Sequence, residues 1–179
     1  NYLKKFLIHI SLIVIALVIY FLQSNLFNWF TIAGIMPNLF VIFTLFVGLF
    51  ANKIMGTVYG MVVGLILDVL FREKIGVSFI ALGLVGFLST IFDKNFSKDS
   101  RITIMFMVAG LTILYEAIVY FANYFIYGAS LEIFAFLKIL LIEVIFNLLL
   151  VIIIYPLFRK FGYYIENEFK GNKILTRYF

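Results

Sequence analysis

Gly56–Phe71 reads GTVYGMVVGLILDVLF. Gly56, Gly60 and Gly64 recur every four residues, and Asp68 keeps the same spacing. Residues four apart stack on one face of a helix, so these four form a smooth groove ending in a carboxylate. The rest of the stretch is almost wholly apolar. Glycine is a poor helix former in water, but inside a bilayer it lets a second backbone come close. A charge at that depth is costly and needs a partner or a cavity. The stretch therefore predicts a tightly packed central membrane helix with an acid near one end.

The whole chain agrees with that reading. Of its 179 residues 65% are hydrophobic and 13% are charged. Soluble domains carry about 45–50% apolar and about 25% charged residues. The apolar runs are long and unbroken, unlike the alternating strands of about ten residues in outer-membrane barrels. The expected fold is an all-α integral membrane protein, one compact bundle with no room for a soluble domain. The absence of cysteine excludes disulfides, thiolate metal sites and cysteine nucleophiles. The net charge of +5 fits a loop bias of a membrane protein and not nucleic-acid binding.

Six transmembrane spans are predicted, at about 6–22, 37–50, 54–71, 77–92, 102–127 and 132–158, making residues 1–158 one transmembrane domain. The first lacks a small-residue cleavage site, because Gln23-Ser24-Asn25 follows it, and reads as an uncleaved span. His9 reads as an interfacial side chain. Residues 23–36 read as an uncharged connector with Trp29 at a membrane interface. Pro37 opens the second span, and Asn38 beside it serves as a cap or lines a cavity. Gly83, Gly86 and Ser89 put small residues on the fourth span. Residues 93–101, DKNFSKDSR, form the most polar internal loop. Pro156 marks the fraying end of the sixth span. Residues 159–179 form a basic, aromatic tail suited to an anionic cytoplasmic leaflet, so membrane lipids are expected partners.

An even number of spans puts both termini on one side. That side carries 11 of the 14 Lys and Arg, against Arg72 and Lys74 opposite and Lys138 within a span. The positive-inside rule makes both termini cytoplasmic.

The ionisable groups inside the membrane are Asp68, Glu116, Lys138 and Glu143. Asp68 either pairs with Arg72 four residues on or belongs to a pocket. Lys138 either snorkels to the interface or reaches for an acid. Glu116 and Glu143 lie at matched depths on two antiparallel neighbours, each about 21–22 Å from the cytoplasmic end. Glu116, Tyr120 and Asn123 share a stripe of the fifth span, and Glu143 and Asn147 share one of the sixth. These five residues either surround an internal polar cavity or fasten the bundle by interhelical hydrogen bonds. In one low-dielectric site the two acids would share a proton. No catalytic, metal-ligating or phosphate-binding pattern is present, so neither an enzyme nor a resident cofactor is expected.

Pro37-Asn38-Leu39, Gly48, the run Gly56, Gly60, Gly64 and Asp68, and then Gly76 together resemble the MreD family of rod-shape-determining proteins. The resemblance covers essentially the whole chain. It implies a non-enzymatic component of the bacterial cell-elongation machinery in the cytoplasmic (inner) membrane, helping to regulate peptidoglycan synthesis. It implies a bitopic MreC-like partner, and through it MreB, RodA and a class B penicillin-binding protein. The family is similar in architecture to the substrate-binding subunits of energy-coupling-factor transporters. The alternative is therefore a membrane subunit for vitamin or small-molecule uptake. A lipid-precursor binder is a third reading, compatible with the first.

Overall fold

The computed structural model describes residues 1–71 and 75–170. Among them the chain forms six helices, here numbered α1 to α6. They are α1, Tyr2–Trp29; α2, Leu39–Phe50; α3, Lys53–Phe71; α4, Val77–Asn95; α5, Arg101–Tyr127; and α6, Ile133–Lys170. Four of these, α1, α4, α5 and α6, are long and apolar enough to cross a membrane, while Leu39–Phe50 and Ile54–Leu70 are shorter apolar helices. The chain is a multi-pass membrane protein.

The glycine helix is not the centre of the bundle. That place belongs to α2, whose residues are all buried and which touches every other helix. Its composition permits that place: LFVIFTLFVGLF has no polar face, so no side of it is barred from packing against apolar neighbours. By contrast α3 presents Val58, Val62, Leu65 and Val69 outward.

A helix of 12 residues spans only about 18 Å, well short of a bilayer core of about 30 Å. Its ends therefore lie inside the bundle, where unpaired backbone groups are expensive. Both ends are capped by side chains. At the start, Asn38 accepts from the amides of Phe40 at 3.2 Å and Val41 at 3.3 Å. Gln23 accepts from the Leu39 amide at 3.2 Å, and Asn147 from the Asn38 amide at 2.8 Å. At the far end the Lys98 ammonium donates to the Leu49 carbonyl at 2.8 Å. Pro37 thus precedes the cap and does not open the helix.

The glycines set the distance between α3 and α4, the most closely associated pair. A Cβ on Gly60 would lie 2.9 Å from the Leu82 carbonyl carbon, and one on Gly64 2.6 Å from that of Ser78. A Cβ on Gly86 would lie 2.7 Å from the carbonyl carbon of Gly56. Each four-residue step up α3 is matched by a four-residue step back down α4. Asp68 continues the ladder and ends it. Wholly buried, it accepts from the amides of Gly76 at 2.9 Å, Ser78 at 3.2 Å and Phe79 at 3.2 Å. It therefore caps α4 from a neighbouring helix. Gly76, at φ 122°, takes a backbone shape open to glycine but strained for other residues. The pairing expected between Asp68 and Arg72 lies outside the described residues, as do residues 72–74 and 171–179 altogether.

Several boundaries differ from expectation. The helix α1 runs through the polar stretch 23–28, where two of the polar side chains bond to carbonyls of the helix itself. Asn25 donates to the Phe21 carbonyl at 3.1 Å and Asn28 to that of Ser24. A π-helical turn at Leu22–Leu26 rotates Gln23 toward α2. The connector beyond is a tight reversal, with Ile32 and Ile35 exchanging backbone hydrogen bonds and Ala33 and Gly34 at positive φ. At the other end α6 passes through Pro156 and continues to Lys170, so the helix does not end at 158. Membrane helices tolerate proline where neighbours re-satisfy the freed backbone group.

The extended part of α6 is held by packing. Gly162 lies against the Phe50 ring, where a Cβ would come within 2.7 Å of Cγ. Phe46, Phe50, Phe158, Phe161 and Tyr163 form an aromatic cluster there. Lys98 sits 5.0 Å above the Phe50 ring and pairs with Asp93 and with Glu166, the latter at 2.7 Å. His9, hydrogen-bonded to the Tyr59 hydroxyl at 2.8 Å and edge-on to Phe169, ties α1 to α3 and α6.

Candidate functional site

The buried start of α2 leaves space around it. The polar turn of α1 brings Gln23, Ser24 and Asn28 to one wall, and Pro37, Asn38 and Phe40 form another. On the remaining side α5 supplies Tyr115 and Glu116, and α6 supplies Glu143. Together with Met36 and Leu67 these line a partly open cavity of about 490 Å³. It lies toward the end of the bundle opposite Asn1.

Glu143 is 5% exposed. Glu116 and Glu143 both line this cavity. The reason is the antiparallel pairing of α5 and α6, which sets residue 116 opposite residue 143. Among the described residues, none that lines the cavity is basic. Lys138 is exposed on α6 and does not line the cavity.

The other three residues of the expected cavity do different work. Asn147 is fully buried beside it and bridges α2 to α5. Its carbonyl oxygen accepts from the Asn38 amide, and its amide donates to Thr112 Oγ1 at 2.9 Å. Tyr120 lies one turn beyond Glu116. Its hydroxyl accepts from the Glu132 amide at 2.6 Å, and its ring stacks on Phe136 with centroids 4.1 Å apart. Asn123 lies further still, where its backbone carbonyl accepts from the Ala129 amide at the close of α5. A stripe along a helix crosses many depths, whereas the cavity occupies one. Neither Tyr120 nor Asn123 is among the described residues that line the cavity, and Tyr120 ties α5 to the start of α6 through the Glu132 amide.

Gln23, Ser24 and Asn28 were not anticipated in the lining. Their signal in the sequence is a run of uncharged polar residues at the end of an apolar span, which also describes an ordinary loop. Asn38 both caps α2 and lines the cavity. Gly56, Gly60, Gly64 and Asp68 belong to the α3–α4 seam and lie outside the lining.

Among the described residues no group of three or more His, Cys, Asp or Glu is placed to hold a metal ion. A family model described as rod shape-determining protein MreD matches residues 2–161. No curated protein and no solved structure matches the chain.

Proposed function

The chain belongs to the MreD family of rod shape-determining proteins, and from that premise we propose that it is a non-enzymatic scaffold of the bacterial cell-elongation machinery. In this reading it binds an MreC-like bitopic protein in the cytoplasmic membrane and so helps to regulate peptidoglycan synthesis. MreB, RodA and a class B penicillin-binding protein are reached through that partner.

The observation that carries the reading is the family match over residues 2–161. The construction of the bundle supports it. A glycine seam and a central helix capped at both ends make a stiff core, as a scaffold that positions partners requires. We further propose that the two shorter apolar helices also belong to the membrane domain, giving six spans with both termini cytoplasmic. The bias of 11 basic residues on the side of the termini supports that orientation.

Co-expression with an MreC-like bitopic protein, followed by affinity purification, tests the reading. The expected outcome is co-elution that survives washing at high salt, since membrane helix contacts are packing and not surface charge. Failure to co-elute, with a vitamin and an ATPase module retained instead, would replace it with the uptake reading.

A further inference from the structure

Where α5 begins, Asp99 fixes two tyrosines of α6. The Tyr155 hydroxyl donates to the Asp99 carbonyl at 2.7 Å, and the Tyr163 hydroxyl donates to the Asp99 carboxylate. Tyr155, Arg159 and Tyr163 are four residues apart and share a face of α6. Each anchored ring carries a guanidinium. That of Arg101 lies 4.7 Å from the Tyr155 ring centroid, and that of Arg159 lies 6.0 Å from the Tyr163 centroid. Both arginines are exposed. A contact with a ring satisfies none of the N–H donors of a guanidinium. Among the described residues neither guanidinium makes an ion pair or a hydrogen bond, and residues 171–179 contain no Asp or Glu. On the membrane side of the pair the surface turns apolar, with Ile102 and Phe106 exposed on α5 and Ile153 and Leu157 exposed on α6. The two arginines therefore stand at the border of the apolar surface, the depth at which phospholipid headgroups lie.

We propose that Arg101 and Arg159 form a binding site for a phosphate group. Phosphate offers negative charge and acceptor oxygens, which match the planar N–H forks of two guanidiniums. Arg101 reaches the ring one turn before Arg159, so both forks serve one stretch of α6. The rings beneath them are held by Asp99, and a group already placed loses less freedom when it binds. Asp99 sets one negative charge against the two guanidiniums, and exposed Lys160 beside Arg159 adds a further positive charge. The balance is positive, as an anion site requires. Two sources carry this chemistry: the headgroup of an anionic phospholipid and a soluble phosphate ester. The exposed apolar side chains next to the arginines match acyl chains, which only the lipid brings.

Native mass spectrometry of the full chain in detergent tests the proposal by counting bound phospholipid during a titration. Phosphatidylglycerol should bind more tightly than phosphatidylcholine, whose own cation cancels the phosphate charge. Arg101→Gln with Arg159→Gln should weaken phosphatidylglycerol binding on the order of tenfold, as loss of a charge-assisted hydrogen bond requires. Lys4→Gln with Lys94→Gln removes the same charge from the same end of the bundle and should leave the affinity unchanged. Arg101→Lys with Arg159→Lys keeps the charge but not the planar fork, and should also weaken binding. Glycerol phosphate that displaces phosphatidylglycerol at equal concentration identifies a soluble ester as the source, whereas failure to displace it identifies the lipid. The melting temperature, read in the same series, should rise with phosphatidylglycerol in the unmodified chain and not in the double Gln variant. The melt without lipid shows that each variant is folded. The proposal is overturned if the two lipids bind alike, if either double arginine variant keeps the full affinity, or if the double lysine variant loses as much.

Discussion

Gly60 lies so close to Leu82 that a Cβ on the glycine would sit 2.9 Å from the leucine carbonyl carbon. The obstacle is backbone and cannot swing aside. Gly60→Ala should therefore push α3 and α4 apart and cost about 1–3 kcal/mol, as overpacking does. Gly60→Leu should cost more. Gly110 on α5 has nothing within 4 Å of its would-be Cβ, so Gly110→Ala should be neutral or stabilise by about 0.5–1 kcal/mol. Thermal melts of the purified variants check the contrast. Equal behaviour at both positions would show that the seam is not packed as described.

Asp68→Ala should destabilise the protein strongly for its size. It strips the acceptor from three amides at the start of α4, and loss of a cap costs about 0.5–2 kcal/mol even on a surface helix. Asp68→Asn keeps one acceptor oxygen and should be milder. Amide hydrogen exchange at Ser78 and Phe79 reads the effect locally. Unchanged protection there in Asp68→Ala would rule out the capping role.

Lys98 holds the opposite end of α2 and is almost fully buried, as is Glu166, with side-chain exposures of 3% each. Lys98→Met removes the cation that contacts both Glu166 and Asp93 and should cost about 3–5 kcal/mol. The double change Lys98→Met, Glu166→Gln should recover part of that loss, because it removes a buried charge that Lys98 offsets. A double variant less stable than the single one would contradict the pairing.

Glu116→Gln with Glu143→Gln should leave the fold intact, since an amide makes the hydrogen bond that a protonated acid makes. Glu143→Leu should be worse, stranding Glu116 at a cost of about 1–3 kcal/mol. Comparative melting in detergent decides between them. If the double Gln variant were the less stable, the acids would be working as charges and not as a hydrogen-bonded pair.

The sequence by itself determined the class of the fold, because composition acts on every residue at once and a chain this apolar belongs in a bilayer. It also determined where the closest helix seam lies: the four-residue spacing of Gly56, Gly60 and Gly64 is a local property of one helix. The matched depth of Glu116 and Glu143 followed from counting residues along two neighbours joined by a short turn. Only the tertiary structure decided which helix is central. Inside a membrane, lipid and protein are both apolar, so the sequence of α2 does not tell a lipid-facing surface from a protein-facing one. The role of Asp68 was equally hidden, because its partners are amides of Gly76, Ser78 and Phe79, and backbone amides are the same in every sequence. The cavity depends on the same kind of information. Gln23, Ser24 and Asn28 face it because a π-turn rotates them there, and a rotation within one turn of helix leaves no mark in the order of residues. Pro156 gave the opposite lesson: its local preference to end a helix is weaker than the packing of Gly162 on Phe50, which carries α6 onward to Lys170.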